Sequence, residues 1–268
     1  MKGLDWVHGD PVELRAAYLK EREALDETAP PDVTIEGETR AGLDGLRFTP
    51  AAPKAAPILY FHGGSWMLGG PETHRALCAW LSKLSGRRVI SVRYPLAPEH
   101  RYPAQRDAAR AALAAILAEE GGPLFIAGDS AGGAMALWAA QAEAEHVLGV
   151  ATFYPAFGVV SSPSIDRFGP GNEALHAGAI AAMYARLGAA PEQVQQDVPA
   201  HGAPVLVLAA SDDPLFDDST AIFERLEDRE VTLWVAKGQE HAFLHHGGAS
   251  AEVRDWLTRV GGWMDARS

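Results

Sequence analysis

Pro123-Leu-Phe-Ile-Ala-Gly-Asp-Ser-Ala-Gly-Gly133 decides how this chain is read. A short apolar run, strand-like in length, leads into Gly128-Asp129-Ser130-Ala131-Gly132-Gly133. An alanine-rich helical pattern follows, from Ala131 to Ala144. A G-x-S-x-G between a strand and a helix is the pattern of a nucleophile elbow. Its glycines stand where the turn is too tight for a Cβ, which lifts a strained serine to the apex. The helix behind Ser130 aims its free N–H groups and positive dipole end at the site, favouring a developing oxyanion. A plain glycine-rich connector is the alternative, and the strand–helix context favours the catalytic reading.

A serine hydroxyl is a poor nucleophile until an imidazole can take its proton. The expected chain order is serine, then acid, then histidine, each following a strand. Downstream, Pro204-Val-Leu-Val-Leu-Ala-Ala-Ser211 reads as a buried strand, with Asp212-Asp213-Pro214-Leu215-Phe216-Asp217 directly after it. The next strand, Val231 to Lys237, runs into Gly238-Gln-Glu-His-Ala-Phe243. These positions put Ser130, an acid and His241 at one edge of a parallel sheet, where ligands bind. Asp213 precedes Pro214 and is biased to extended backbone; Asp212 is its rival. Asp217 and Asp218 read as capping residues of a helix through Ile222 and Leu226. His245 and His246 fit surface positions. Spaced four apart, His241 and His245 also fit a metal pair, which no further ligand pattern supports.

Upstream, the strand Pro57 to Phe61 runs into His62-Gly63-Gly64-Ser65-Trp66. Backbone N–H groups of such a turn, with that of Ala131, would grip a tetrahedral oxygen. His62 is expected to be a structural loop residue.

Together these segments resemble the hormone-sensitive-lipase-like, or bacterial family IV, esterases of the α/β-hydrolase fold. The likeness covers about residues 44–260. It rests on GDSAGG, on His62-Gly-Gly-Ser65 against an HGGG-type motif, and on Tyr94-Pro-Leu-Ala-Pro-Glu-His-Arg-Tyr-Pro103. Asp213-Pro-Leu215 and His241-Ala-Phe243 complete it. The resemblance implies Ser130 as nucleophile, Asp213 as acid and His241 as base, with Gly63, Gly64, Ser65 and Ala131 supplying the oxyanion hole. Ser65 stands where the third glycine is usual, which a negative φ would accommodate. Trp66 makes an H-G-G-x-W variant that also resembles kynurenine formamidases, so an aryl-formamidase or small amidase with the same triad is the alternative function. APEH and GDSAGG favour the esterase branch.

The 268 residues are 47% apolar and 22% charged, ordinary for a globular protein, and are expected to form a single hydrolase domain. A net charge of −12 without a basic cluster argues against nucleic acid or an anionic membrane surface and mildly favours neutral or cationic substrates. No apolar run is long enough to span a membrane. The start, Met1 to Trp6, lacks an apolar leader core. Cys78, the only cysteine, reads as core. Cytoplasm is the expected compartment, and a homo-oligomer is left open.

Asp10-Pro11-x-Glu13 reads as a helix start, with the helix reaching about Leu25. Strand patterns fall near 32–36, 44–48, 57–61, 88–93, 123–127, 147–153, 204–210 and 231–236; helical ones near 73–85, 104–119, 131–144, 219–228 and 250–264. This is an α/β alternation: a mostly parallel eight-stranded sheet flanked by helices, with a leading hairpin. Between Pro155 and Pro204 the alternation breaks, with helices expected at Glu173 to Leu187 and from Pro191. A long insert at the chemical edge suggests a lid. By the resemblance, residues 1–30 and 155–203 form a small helical cap. Trp66, Met67, Leu68 and Phe216 are pocket candidates, as are Phe157, Phe168, Met183 and Tyr184 within the insert. The expected reaction is hydrolysis of short- to medium-chain carboxylic esters, a small-molecule substrate, with no metal or cofactor required. A non-catalytic receptor on the same fold would be expected to lack a triad member.

Overall fold

A computed structural model describes residues 4–26, 28–40 and 42–268, with the side chains of 24–26 and 40 outside the description. Residues 1–3 of the expected leader-free start, and 1–3 and 27 of the expected cap segment, lie outside the described residues.

Helix α1 (Pro11–Asp26) comes first, followed by the hairpin of β1 (Val33–Arg40) and β2 (Leu43–Pro50). Strand–helix alternation then runs β3 (Lys54–Phe61), α2 (Arg75–Ser85), β4 (Arg87–Val92), α3 (Ala104–Glu120), β5 (Leu124–Asp129), α4 (Ala131–Ala140) and β6 (Val147–Phe153). Three short helices follow: α5 (Pro163–Phe168), α6 (Ala177–Leu187) and α7 (Pro191–Gln196). The chain closes with β7 (Val205–Ala210), α8 (Phe216–Arg225), β8 (Val231–Ala236) and α9 (Ala251–Asp265).

The eight strands form one sheet in the order β1-β2-β4-β3-β5-β6-β7-β8. The first two pairings are antiparallel and the rest parallel. Parallel strands are covered on both faces, so they read as continuous apolar runs. Every residue of β5 and β7 is buried accordingly. One core lies on each face of the sheet. A third, smaller cluster joins Trp6 and, from α1, Leu14 and Tyr18 to Met67, Leu68 and Ala179.

Several elements differ from expectation: α6, for instance, begins at Ala177 rather than Glu173, and β1 runs on to Arg40. Helix α4 stops at Ala140, and residues 144–146 form a separate 3-10 turn. Helix α8 begins at Phe216 rather than 219, because Asp213 starts the turn: its Oδ1 accepts from Leu215 N at 2.8 Å and its carbonyl from Phe216 N at 3.0 Å. Helix α5 was not anticipated. Ser162 caps it, Oγ accepting from Ile165 N, with Pro163 at the first position.

Candidate active site

Ser130 joins the end of β5 to the start of α4 with φ 52° and ψ −121°, a strained backbone for a residue with a Cβ. The surroundings over-determine it. Its N–H donates to Phe153 O at 2.9 Å, and its carbonyl accepts from Gly133 N and Ala156 N. Helix α4 is buried on every face. It comes so close to β3 that a Cβ on Gly132 would overlap the Phe61 carbonyl oxygen.

The loops after β7 and β8 bring the other two expected residues to Ser130. His241 Nε2 lies 3.1 Å from Ser130 Oγ, and His241 Nδ1 lies 2.7 Å from Asp213 Oδ2. Asp213 is buried, whereas its rival Asp212 is exposed and accepts from Ser211 Oγ. Asp212 N donates to Gln239 O at 3.0 Å, stitching the acid loop to the histidine loop. Tyr154 supports the imidazole edge-on, with ring centroids 5.0 Å apart. Ala242, next to His241, adopts left-handed backbone at φ 63°, where the resembled motif has glycine.

The loop after β3 departs from expectation in two ways. Ser65 takes φ 57°, not a negative value, and Trp66 follows at φ 56°. Gly63 N–H is already engaged, donating to Asp129 Oδ1 at 2.9 Å. The N–H groups of Gly64, Ser65 and Ala131 make no hydrogen bond among the described residues. They are the amides left for an oxyanion.

Asp129 anchors this loop. Tyr60 Oη donates to its Oδ1 at 2.7 Å, and His74 Nε2 lies 3.2 Å from its Oδ2. Burial opposes the Asp129 charge, but His74 and His245 beside it more than offset that and hold the carboxyl well below its ordinary range. His245 lies 3 % exposed, not at the surface as its sequence position suggested. Burial, then the charge of Arg22, keep its imidazole neutral. His62 is structural, as expected: it stacks on Tyr94 and burial lowers its pKa to about 3. His74, Asp129 and His245 have the donor types of a metal site. Asp129, however, already spends its oxygens on Tyr60, Gly63 and His74.

A cavity opens on Ser130 and His241, with about 480 Å³ of empty space counting its mouth. Gly64, Ser65 and Leu68 line it from the β3 loop, Trp6 from the turn before α1, Tyr18 and Arg22 from α1, and Ala174 and Leu175 from the insert. Of the pocket candidates, Leu68 is in the wall. Trp66 is not: left-handed backbone turns it into the core, stacked on Trp138 with centroids 6.1 Å apart. Phe216 is not among the lining residues either, because it begins α8 on the far side of Asp213. Phe157, Met183 and Tyr184 belong to the core. Phe168 lines a second, open hollow with Asp212, Glu240 and His241.

Asp217 and Asp218 do not cap α8. Asp217 Oδ2 accepts from Ser164 N at 2.9 Å, and Asp218 Oδ1 accepts from Phe157 N and Val159 N, so both hold the insert. Burial pushes the Asp218 carboxyl up to about 8. The sequence reading missed Asp129, Tyr60 and His74 as a network, and Trp6, Tyr18 and Arg22 as cavity wall. Asp129 carried a signal, since it sits inside the elbow motif; the α1 residues carried none beyond their helical pattern.

The chain matches a family model described as alpha/beta hydrolase fold over residues 58–245. It is 31% identical over 227 residues to an ethyl acetate hydrolase of Pseudomonas putida, covering 76% of this chain and 71% of that protein. It is 32% identical over 241 residues to an acetyl-hydrolase of Streptomyces hygroscopicus, covering 82% and 78%. The solved structure of a Pyrobaculum calidifontis esterase is similar at a TM-score of 0.85 and 26% identity, covering 97% of this chain and 94% of that one.

Proposed function

The chain belongs to the alpha/beta hydrolase fold family, and from that premise we propose that it is a serine carboxylesterase acting on short- to medium-chain esters. The observation that carries this reading is the chain of contacts from Asp213 through His241 to Ser130, at the apex of a strained elbow. Relatives named ethyl acetate hydrolase and acetyl-hydrolase support the short-acyl end of this substrate class.

Ser130 Oγ attacks the ester carbonyl while His241 Nε2 takes its proton. Asp213 holds the ring in the tautomer that leaves Nε2 free to accept, and stabilises the cation that forms. The amides of Gly64, Ser65 and Ala131 receive the negative oxygen, aided by the N-terminus of α4. The alcohol leaves with the proton from His241. Water then repeats the sequence on the acyl-enzyme and frees the acid. Asp129 acts at one remove, fixing the β3 loop and so the position of its amides.

We propose further that residues 1–30 and 155–203 form a cap on a single hydrolase domain, since both segments contribute walls to the cavity. Among the described residues no helix is long and apolar enough to cross a membrane. Cytoplasm is proposed from composition alone.

The aryl-formamidase alternative is not favoured. Its basis was the tryptophan of H-G-G-x-W, and Trp66 packs into the core instead of the cavity. The test is kcat/KM for p-nitrophenyl acetate, butyrate and octanoate beside N-formylkynurenine. Acetate or butyrate is expected to lead. A lead for N-formylkynurenine would transfer the reading to formamide hydrolysis, and no turnover of any would remove the enzyme reading.

A further inference from the structure

The cavity wall holds hydrogen-bonding groups left unpaired among the described residues. Trp6, Arg22 and His245 all line it beside Ser130 and His241. Trp6 Nε1, Arg22 Nε and His245 Nε2 are each sealed from solvent and have no hydrogen-bond partner among the described residues. Trp6 is 7% exposed and His245 3%. His245 Nε2 stands 3.6 Å from Asp129 Oδ2, beyond hydrogen-bond reach. Buried donors left unpaired cost roughly 1–3 kcal/mol each. Three around one hollow, two of them obligate donors, call for an acceptor-rich occupant.

Charge narrows its chemistry. Arg22 is the cation of the wall, its guanidinium 4.9 Å over the Tyr18 ring. Burial works against that charge, and Tyr18 and Asp129 outweigh it and keep it in place. Asp129 also lines the cavity, but its oxygens are taken by Tyr60, Gly63 and His74, whereas Arg22 keeps an Nε unpaired among the described residues. The other hollow at His241 has two carboxylates, Asp212 and Glu240, in its wall. The overall charge of −12 does not override the local cation, since exposed charges are screened over about 8 Å at physiological salt.

We propose that the cavity takes a free carboxylate carried by the ester itself, held by Arg22 with Trp6 Nε1–H, so that the preferred substrates are monoesters of dicarboxylic acids or esters of hydroxy acids. This rests on the ester-hydrolase reading of Ser130. The acidic hollow is left to the uncharged end. Hydrolysis proceeds as for any ester: water adds across the acyl C–O bond, and the carboxylate is a spectator that orients.

The test has an activity arm and a binding arm. By pH-stat, kcat/KM is measured for monoethyl glutarate against ethyl pentanoate, and for acetoxyacetate against ethyl acetate. The first pair puts the carboxylate on the acyl side, the second on the alcohol side. One pair is expected to favour the anion by about 10-fold or more, and Arg22→Met to lower that ratio by about 10- to 100-fold. The pair that responds identifies which end of the ester enters the cavity. Ratios that Arg22→Met leaves within twofold in both pairs overturn the proposal. The binding arm is independent of turnover. Ser130→Ala protein is titrated calorimetrically with monoethyl glutarate and acetoxyacetate, with and without Arg22→Met. Equal affinities in both backgrounds overturn the proposal even if every ester is inert, whereas inertness alone removes only the esterase reading. Arg22→Lys and Trp6→Phe keep the fold's shape if Arg22→Met does not fold. Trp6→Phe, which deletes one N–H, is expected to lower anion affinity by a smaller factor than either Arg22 variant, and no change in any of them overturns the proposal.

Discussion

The elbow around Ser130 and the helical layer above it are held together in different ways. From Gly128 to Ala140 every residue is buried, and the contacts are backbone against backbone. The layer packs apolar side chains onto the body and is tied down by the tips of long ones. Arg15 of α1 donates to Met67 O at 2.8 Å and Ala97 O at 2.9 Å, and Arg186 of α6 to Val7 O at 3.0 Å and Gly9 O at 2.8 Å. Backbone-to-backbone approach restricts which residue types fit, so the chemistry is written in glycines and a strained serine. Side-chain tethers tolerate many sequences, so the layer is free to set selectivity. On the proposed reading, reaction and preference are built from separable parts.

The largest effects test the rigid part. Ser130→Ala is expected to lower kcat on the order of 10⁶-fold while leaving the fold and cavity in place. A variant that keeps a hundredth of its activity breaks the comparison, because the elbow would then not carry the chemistry. Gly132→Ala adds one methyl where the Phe61 and His62 carbonyl oxygens already stand. Neither strand nor helix has room to yield, so a loss above about 4 kcal/mol is expected in urea unfolding. Unfolding within about 1 kcal/mol of the parent would mean the elbow is softer than its burial indicates.

Smaller effects sharpen the picture of the layer and its anchors. Asp218 holds Phe157 and Val159, where the chain leaves β6 for the insert. Its carboxyl has an ordinary value of 3.8 and stands at about 8 in the folded protein. Between those values the folded chain keeps a proton that the unfolded chain has lost, so stability falls as pH rises. The loss is complete once Asp218 itself ionises near 8. Asp218→Asn keeps the acceptor oxygen and cannot ionise. It is expected to flatten the decline of Tm between pH 5 and 9, and an unchanged slope would place the titration elsewhere. Arg15→Ala is expected to cost about 1 kcal/mol, because the side chain is part-exposed. Hydrogen exchange should rise across α1 and stay unchanged at the amides of α4. Equal acceleration in both would join the two regions into one cooperative unit.

The strand–helix order, the leading hairpin and the edge carrying Ser130, Asp213 and His241 were legible because periodicity and turn chemistry are local. Gly128, Gly132 and Gly133 announce a close approach before any partner is known. The wall of the cavity was not legible on the same terms. Trp66 looked like a pocket residue from its place beside the glycine loop, and two consecutive left-handed residues sent it into the core instead. His245 looked like a surface neighbour of His241, and a 3-10 turn at Phe243–His246 buried it beside Asp129. Asp218 looked like a helix cap, and the insert claimed its oxygen.

By itself the sequence determined the α/β architecture and the positions at which a nucleophile, a base and an acid meet. Those depend on residues close along the chain and on strands whose carboxyl ends share one edge. Only the tertiary structure decided that Gly63 spends its amide on Asp129, and that Trp6, with Tyr18 and Arg22 of α1, reaches across from more than a hundred residues before Ser130. Such contacts depend on how whole elements pack, and packing between distant segments leaves no periodicity in either one.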